Sequence, residues 1–192
     1  MRWAPDARGR LERAAFELFS EQGYSATTVP QITARAGLTA RTFFRYFADK
    51  REVIFGGNEV PEAAACLIRA APPEAEPMEV IRLVLNDVAT NRFHGQRDET
   101  AAWRRIINSD DSLRDRDARK RADLVLAAKA AFVERGESEL DATMFAEAGA
   151  LVFYVALDAW LAEPEPRPMA DTVVDVLNLL RVGRAAITKQ PS

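Results

Sequence analysis

Residues 28–50 read TVPQITARAGLTARTFFRYFADK, and this stretch decides the fold of the N-terminal part of the chain. Thr28 is followed by a proline in the first turn and by Gln31 three residues on, which is the pattern of a capping box at the start of a helix. Gly37 is placed to end that helix, and Thr39 is placed to cap the next one. The stretch therefore predicts two short helices joined by a tight glycine turn.

An amphipathic helix is expected before this pair, over residues 6–22. Its apolar residues fall at i, i+4, i+7 and i+8, the spacing of one buried stripe. They are Leu11, Ala15, Leu18 and Phe19. Gly23 follows directly, where a left-handed residue commonly ends a helix. A supporting helix followed by two short helices predicts a helix-turn-helix over about residues 28–47.

The second short helix has an unusual outer face. With Phe43 and Phe47 turned inward at i and i+4, its other side chains point outward. The outward residues are Arg41, Thr42, Phe44, Arg45 and Tyr46. An exposed aromatic pair flanked by arginines is a poor solvated surface, because the phenylalanine ring would be left in water. It suits a DNA groove, where arginine can bind guanine and a ring can contact thymine methyl groups.

Many positions of this segment follow one family signature. They are Gly23, Tyr24, Thr27, Thr28, Val29, Ile32, Ala36, Gly37, Leu38, Thr39, Thr42, Phe43, Phe44, Arg45, Tyr46, Phe47 and Lys50, with Ala14, Ala15, Leu18 and Phe19 upstream. Over about its first 55 residues the chain resembles the TetR family of bacterial regulators. The resemblance implies an all-α protein of about nine helices that dimerises through its last two helices. It also implies a DNA-binding head, residues 1–51, and a ligand-binding and dimerisation domain, residues 52–192.

The resemblance also implies the DNA-binding residues by position. They are Thr28, Tyr46 and Lys50 at the DNA backbone, Arg41, Thr42 and Phe44 at base edges, and Thr39 and Arg45 beside them. Phe44 stands where the family most often has tyrosine, and Pro30 and Ala40 remove two possible polar contacts. Family members commonly repress transcription and leave an inverted-repeat operator when a small molecule binds. The expected partners are therefore double-stranded DNA, a second copy of the chain and a small-molecule effector.

The charge of the chain is unevenly distributed. Residues 1–51 hold nine Lys and Arg against five Asp and Glu, a net charge of +4, while the remaining residues carry −7 and the whole chain −3. A basic excess at one end fits a local DNA-docking face, although a solvated helical surface would give the same count.

The sequence favours a cytoplasmic protein without a membrane partner. The N-terminus has no basic region followed by an apolar run, so no signal peptide is expected. No uncharged apolar stretch approaches the roughly 18 residues of a membrane span. Cys66 is the only cysteine, which fits a reducing compartment.

Beyond residue 51 the sequence predicts helices over residues 52–70, 78–93, 101–107, 110–133, 141–162 and 171–186. The last two carry broad apolar surfaces, with small residues that would let a partner helix approach. The predicted dimer-interface residues are Val152, Phe153, Ala156, Trp160, Val173, Val176, Leu177 and Leu180. Without the family resemblance, the same helices could equally close the chain's own core.

A sensing pocket is expected as an apolar cavity with a few polar groups among the middle helices. Its candidate residues are Phe93, Trp103, Arg104, Phe132, Met144, Phe145 and Tyr154. Arg104 and Arg105 could hold an anionic ligand such as an acyl-CoA or lie on the surface. Each aromatic residue could also belong to the ordinary core.

Catalysis and metal binding are not indicated. His94 is the only histidine, whereas a zinc site needs three or four suitable ligands, so neither a metal nor a cofactor is expected. Two alternatives stay open: a small-molecule-binding or enzymatic helical protein whose head no longer binds DNA, and a protein–protein adaptor. The intact outer face of the second short helix argues against the first, and the second would need a further large apolar patch.

Overall fold

The computed structural model describes residues 6–55, 59–93, 95–165 and 167–187. Within these residues the regular secondary structure is entirely α-helical, as expected, and ten helices follow one another. They are α1 Ala7–Gln22, α2 Val29–Ala36, α3 Ala40–Tyr46, α4 Glu52–Phe55, α5 Glu59–Ala70, α6 Pro77–Arg92, α7 Arg97–Asn108, α8 Asp111–Glu134, α9 Glu139–Ala162 and α10 Met169–Ile187. The single helix expected over residues 52–70 is present as α4 and α5, and residues 56–58 lie outside the described part.

The chain packs as two compact units. The first lies within Met1–Glu59 and Asp98–Lys120, and the second within Val60–Arg97 and Arg121–Ser192. The first unit thus includes α7 and the beginning of α8, because Ile106 and Leu113 are buried in the same apolar core as α1–α3. The division expected at residue 51 remains a prediction about function, since packing divides the chain differently.

Local signals place α2 and α3 as expected. The Thr28 hydroxyl accepts a hydrogen bond from the Gln31 backbone N–H, and the Gln31 side chain accepts one from the Thr28 backbone N–H, which completes a capping box. Gly37 ends α2 with φ 63°, a left-handed conformation that glycine adopts without strain. Thr39 caps α3 by accepting from the Thr42 N–H at 3.2 Å. These caps satisfy backbone groups that helix ends leave unpaired.

The core of the first unit fixes which side of α3 faces outward. Leu11 of α1, Ile32 of α2 and Phe43 of α3 are completely buried, and Phe47 is nearly so. Phe43 and Phe47 pack against each other with ring centroids 5.4 Å apart. The inward positions predicted for α3 are therefore confirmed.

The core of the second unit is built mainly by α6, α9 and α10, with α5 and α8 contributing further side chains. Val80, Phe132 and Val152 are among its fully buried residues. At the end of α9, the Arg97 guanidinium donates to the backbone carbonyls of Trp160 and Leu161, at 3.3 and 3.2 Å. Arg97 thus provides hydrogen-bond donors to carbonyls that the end of the helix would otherwise leave unpaired.

Helix α9 is long and mostly apolar. Among the described residues, Glu139–Ala162 is long and apolar enough to cross a membrane by length and composition. Two acidic residues, Glu147 and Asp158, interrupt its apolar run. A core helix passes the same test, and α9 packs against both α6 and α10.

Candidate nucleic-acid interface and apolar cavity

Helix α3 presents a mixed aromatic and basic face to solvent. Phe44 is 57% exposed and Tyr46 is 40% exposed, although the neighbouring Phe43 and Phe47 are buried. Arg41 and Arg45 are exposed as well. The helix therefore separates its aromatic residues into a buried inner pair and an exposed outer pair. The Phe44 ring lies edge-on to Phe43, with centroids 5.3 Å apart, and its exposed surface is available to a partner.

Within this outer face, Arg41 and Arg45 have different surroundings. Arg45 donates to the Tyr46 hydroxyl at 3.0 Å, and its guanidinium carbon lies 4.7 Å from the centre of the Tyr46 ring. No hydrogen bond or ion pair joins Arg41 to the described part of the chain. Arg41 therefore keeps its donors available for a planar acceptor such as a guanine edge.

The predicted threonine contacts also have structural duties. The Thr28 hydroxyl donates to the Gln31 side-chain oxygen at 2.9 Å while it caps α2. The Thr39 and Thr42 hydroxyls lie 3.0 Å apart at the start of α3. Thr28 and Thr39 are exposed, and Thr42 is half-buried. Their contacts with DNA remain predictions, and the structure adds a folding role that the residue types already suggested.

Lys50 is held inside the first unit. Its ammonium donates to the backbone carbonyls of Tyr24 and Thr27, both at 2.7 Å, and lies 3.9 Å from the centre of the Tyr24 ring. Burial lowers the pKa of Lys50, and burial also raises the pKa of Tyr24 to about 12. The backbone contact predicted for Lys50 stays a prediction, but two of its three donors already close the turn between α1 and α2.

Two arginines that sequence reasoning did not single out hold α2 against α1. Arg10 donates to the Ala36 carbonyl at the end of α2. Arg35 binds Glu21 through two hydrogen bonds, at 2.7 and 2.8 Å, and Glu17 through a longer one. The sequence signal for these ion pairs was the i, i+4 spacing of Glu17 and Glu21, which places both carboxylates on one side of α1. Arg10 and Arg35 therefore have contacts inside the first unit, while the net charge of residues 1–51 stays +4.

The second unit contains an apolar cavity of about 60 Å³. Residues of α5, α6, α8 and α9 line it, and all of those residues are apolar. They are Val60, Ala64, Ile68, Ile81, Val84, Leu85, Val88, Leu124, Ala128, Phe132, Phe145, Ala146, Gly149, Ala150 and Phe153. Phe132 and Phe145 were predicted as pocket residues, and Phe153 was predicted for the dimer interface.

The other predicted pocket residues lie elsewhere. Trp103 belongs to the first unit, where its ring centroid is 4.9 Å from that of Phe16. Arg104 is in the same unit and pairs with Asp117 at 2.8 Å. Met144 is 62% exposed. None of these side chains lines the cavity.

The two remaining pocket candidates are aromatic residues of the second unit. Phe93 packs on Phe153 and Trp160, with ring centroids 6.0 Å apart in both cases. The guanidinium carbon of Arg121 lies 5.0 Å from the centre of the Tyr154 ring. Neither residue lines the cavity as the structure stands, so a role of either in ligand binding stays a prediction.

Most residues predicted for the dimer interface are buried inside the protomer. Those with little or no exposed surface are Val152, Ala156, Trp160, Val173, Val176 and Leu177. Their side chains are used by the protomer's own core, which was the alternative left open by the sequence. Leu180 is 37% exposed, and Phe153 is half-buried at the cavity. The dimer contacts of these residues stay a prediction, and most of the exposed apolar surface on the two helices belongs to other residues.

A different stripe of α9 is apolar and exposed. Leu140, Met144, Leu151 and Val155 follow one another at intervals of four, seven and four residues, so they share one side of the helix. On α10, Val174 and Leu179 are also exposed. The periodicity of α9 could have revealed this stripe, but its apolar residues surround the helix, so sequence alone does not say which side is buried.

Potential ligands for metal ions are sparse. Among the described residues no group of three or more His, Cys, Asp or Glu side chains could hold a metal ion. Cys66 is exposed. His94 lies outside the described residues.

Comparison with known proteins gives a family match near the N-terminus and similarity to curated regulators. The family described as bacterial regulatory proteins, tetR family, matches residues 12–55. The HTH-type transcriptional regulator TcmR of Streptomyces glaucescens is 37% identical over 93 residues, which are 46% of this chain and 41% of that protein. The HTH-type transcriptional regulator HbdR of Aromatoleum sp. (strain CIB) is 40% identical over 50 residues, which are 26% of this chain and 22% of that protein. The matched segments thus span less than half the length of these relatives.

Solved structures resemble nearly the whole chain. FadR from Bacillus subtilis, in complex with stearoyl-CoA, has a TM-score of 0.58 at 18% identity and covers 90% of this chain and 96% of its own. FadR from Thermus thermophilus, in complex with lauroyl-CoA, has a TM-score of 0.52 at 22% identity and covers 91% and 93%. These identities show a shared fold only. Residues 12–55 of the chain thus match the tetR family of bacterial regulatory proteins, and the described part of the chain shares its fold with these solved structures.

Proposed function

We propose that the protein is a cytoplasmic, homodimeric transcriptional regulator that acts by binding rather than by catalysis. It binds an inverted-repeat operator through α3 and is released from that operator by a small molecule, which makes it a repressor. This proposal is supported by the match of residues 12–55 to the tetR family, by the outer face of α3 and by the apolar cavity of the second unit.

The outer face of α3 is the observation that carries the proposal. Exposing Phe44 to water has a cost unless a partner covers it, and Arg41 keeps its donors available beside it. In the major groove the phenylalanine ring contacts thymine methyl groups, and the arginine reads a guanine. Two such helices in a dimer enter successive grooves roughly 34–36 Å apart, so the operator is an inverted repeat.

The exposed apolar stripe of α9 supports the homodimer. Leu140, Met144, Leu151 and Val155 form a row that a second copy of the helix can cover. A two-fold interface places the same surface on both protomers, so a self-complementary apolar row suits it. Exposed residues of α10 extend the surface to a four-helix arrangement.

The position of α9 supports the response to a ligand. Phe145, Gly149 and Phe153 face the cavity, while Leu151 and Val155 belong to the exposed stripe on another side of the same helix. A ligand that displaces α9 therefore changes the proposed dimer contact as well. If the ligand binds better to a dimer whose heads are spaced wrongly for DNA, it shifts the population toward release.

Selection from random-sequence DNA at two salt concentrations tests the proposal. We expect recovery of an inverted repeat, with an affinity that falls steeply as salt rises because phosphate contacts release counterions. Absence of enrichment at both salt concentrations would contradict the proposal and leave a helical small-molecule-binding protein.

Two arginine variants then test the face itself. Arg41→Ala should lower discrimination at one or two base pairs by about 1–3 kcal/mol. Arg82→Ala is the matched control, because it removes the same side chain and charge from an exposed residue of α6 that pairs with Glu79. It should leave the selected sequence unchanged. An unchanged preference in Arg41→Ala would show that the base contacts are assigned to the wrong residue.

A further inference from the structure

We propose that the cavity of the second unit takes a small, uncharged, apolar molecule, and that Gly149 limits the size of that molecule. The inference rests on the proposed function, because it names the chemical class of the effector. It concerns binding to the protein alone, so it can be tested without DNA.

The chemistry of the cavity wall sets the ligand class. The wall consists of aliphatic and phenylalanine side chains together with one glycine, and the described residues contribute no charged or hydroxyl group to it. A carboxylate or phosphate placed there would lose its hydration without gaining a partner, which is strongly unfavourable. An apolar molecule instead gains free energy in proportion to the apolar surface that it and the wall remove from water.

Two arginines near cavity-lining residues, Arg69 and Arg135, already have partners. Arg69 follows the lining residue Ile68 and pairs with Glu134. Arg135 donates to the backbone carbonyls of Ile68 and Ala71, at 3.2 and 2.7 Å. Recruiting either guanidinium to an anionic headgroup would break an existing interaction. The contacts around the cavity thus favour an uncharged ligand.

The size of the cavity narrows the class further. Its volume of about 60 Å³ is well below the roughly 300–1,000 Å³ of pockets for drug-sized ligands. Phe145 and Phe153 are only half-buried, so modest rotations of their rings can enlarge the space. A single aromatic ring or a short hydrocarbon chain fits these limits, whereas a long acyl chain requires much more room.

Gly149 is placed to set the size limit. A Cβ atom at this position would lie 3.8 Å from the two nearest carbon atoms of the Ile81 side chain, which is ordinary van der Waals contact. An alanine therefore fits the backbone and the packing, and its methyl group occupies part of the cavity. Because alanine is also the better helix former, Gly149→Ala reduces the cavity without weakening α9.

Calorimetry and thermal unfolding with toluene, benzoate and octanoyl-CoA test this inference. We expect toluene to bind the wild-type chain saturably and to raise its unfolding temperature, while benzoate and octanoyl-CoA at equal concentrations do neither. Gly149→Ala should unfold at a temperature no lower than that of the wild type and should bind toluene about tenfold or more weakly. Glu147→Ala, which introduces alanine at an exposed position of α9, should bind toluene like the wild type.

Several outcomes would overturn the inference. They are the absence of saturable toluene binding, equal toluene affinity in Gly149→Ala and wild type, and binding of benzoate or octanoyl-CoA that Gly149→Ala weakens. Failure of the DNA selection with toluene binding intact would remove the proposed regulator and leave the ligand class standing. Recovery of an operator without toluene binding would remove the proposed ligand class and leave the proposed regulator standing.

Discussion

The DNA-facing helix and the cavity are encoded in different ways. Helix α3 is seven residues long, and its outer face is formed by neighbours in sequence. The cavity is lined by residues between Val60 and Phe153 that come from four helices. A short stretch of sequence therefore determines the first feature, whereas the second exists only after distant segments have packed.

The two regions also depart from ordinary packing in opposite directions. On α3 an apolar side chain is left in water, since Phe44 is exposed beside the buried Phe43. In the second unit apolar side chains are withdrawn from water but leave a space between them. Cores are normally close-packed, so a void loses dispersion contacts just as an exposed ring loses burial. The exposed ring and the cavity are therefore both places where a bound partner would improve the packing.

Substitutions at adjacent phenylalanines should give the largest contrast. Phe43→Ala should lower the free energy of unfolding by about 3–5 kcal/mol, because it empties the centre of the first core. Phe44→Ala should cost far less, about 1 kcal/mol, because the ring is exposed apart from its edge-on contact with Phe43. Its DNA affinity should nevertheless fall about tenfold or more. Urea unfolding and DNA titration measure the two effects, and a Phe44→Ala protein with unchanged DNA affinity would remove this ring from the proposed interface.

The proposed dimer surface should show the next largest effect. Leu151→Asp places a charge in the exposed stripe of α9 and should weaken the homodimer by about 2 kcal/mol or more, because it leaves a buried charge unpaired at the interface. Sedimentation over a range of concentrations measures the dissociation constant.

The matched control for this substitution is Leu126→Asp. Leu126 of α8 is 65% exposed and lies outside the stripe, so the same change there should leave the dimer intact. Equal weakening by both substitutions would show that the stripe is not the contact.

The same contrast explains which features of the structure could be predicted from the sequence. The caps at Thr28 and Thr39 and the inward Phe43 were predictable because capping and helical spacing are local rules. The burial of Val152 was not predictable in the same way, since α9 is apolar on several sides and only its neighbours decide which side is covered. Most of the cavity-lining residues were not predicted, because no local sequence pattern encodes a cavity.

Lys50 shows that even a recognisable position can have a second role. Lys50→Met should lower stability by about 1–3 kcal/mol, because the Tyr24 and Thr27 carbonyls lose their charged donor. We also expect the slope of DNA affinity against salt to fall by about one, because the third donor of the ammonium can meet the predicted phosphate. An unchanged slope would instead show that Lys50 acts only within the fold.

Lys129→Met is the control for Lys50→Met. Lys129 pairs with Glu139 near the surface of the second unit, at 2.7 Å. Surface ion pairs contribute about 0–1 kcal/mol, so this change should cost less stability than Lys50→Met. A similar loss in both variants would mean that the Lys50 contacts contribute no more than an ordinary surface pair.

The smallest expected effect is a pH dependence centred on Tyr24. Burial raises the pKa of its hydroxyl to about 12, whereas the pKa of an unfolded tyrosine is about 10. Between these values the unfolded chain releases the proton and the folded chain keeps it, so stability present below pH of about 10 is lost as pH rises toward about 12. Tyr24→Phe should therefore flatten the fall in unfolding free energy over this range, measured by urea titration.

Lys50 acts in the opposite direction at similar pH. Burial lowers its pKa, so the cost of keeping it charged in the folded state is relieved as pH rises toward the value of a free lysine. Because the wild type and Tyr24→Phe both contain Lys50, the difference between the two curves isolates the tyrosine. Tyr46→Phe, at an exposed ring of α3, should follow the wild-type curve. If all three curves coincided, the Tyr24 hydroxyl would not be protected by the fold, and the packing of Lys50 over its ring would be looser than these contacts indicate.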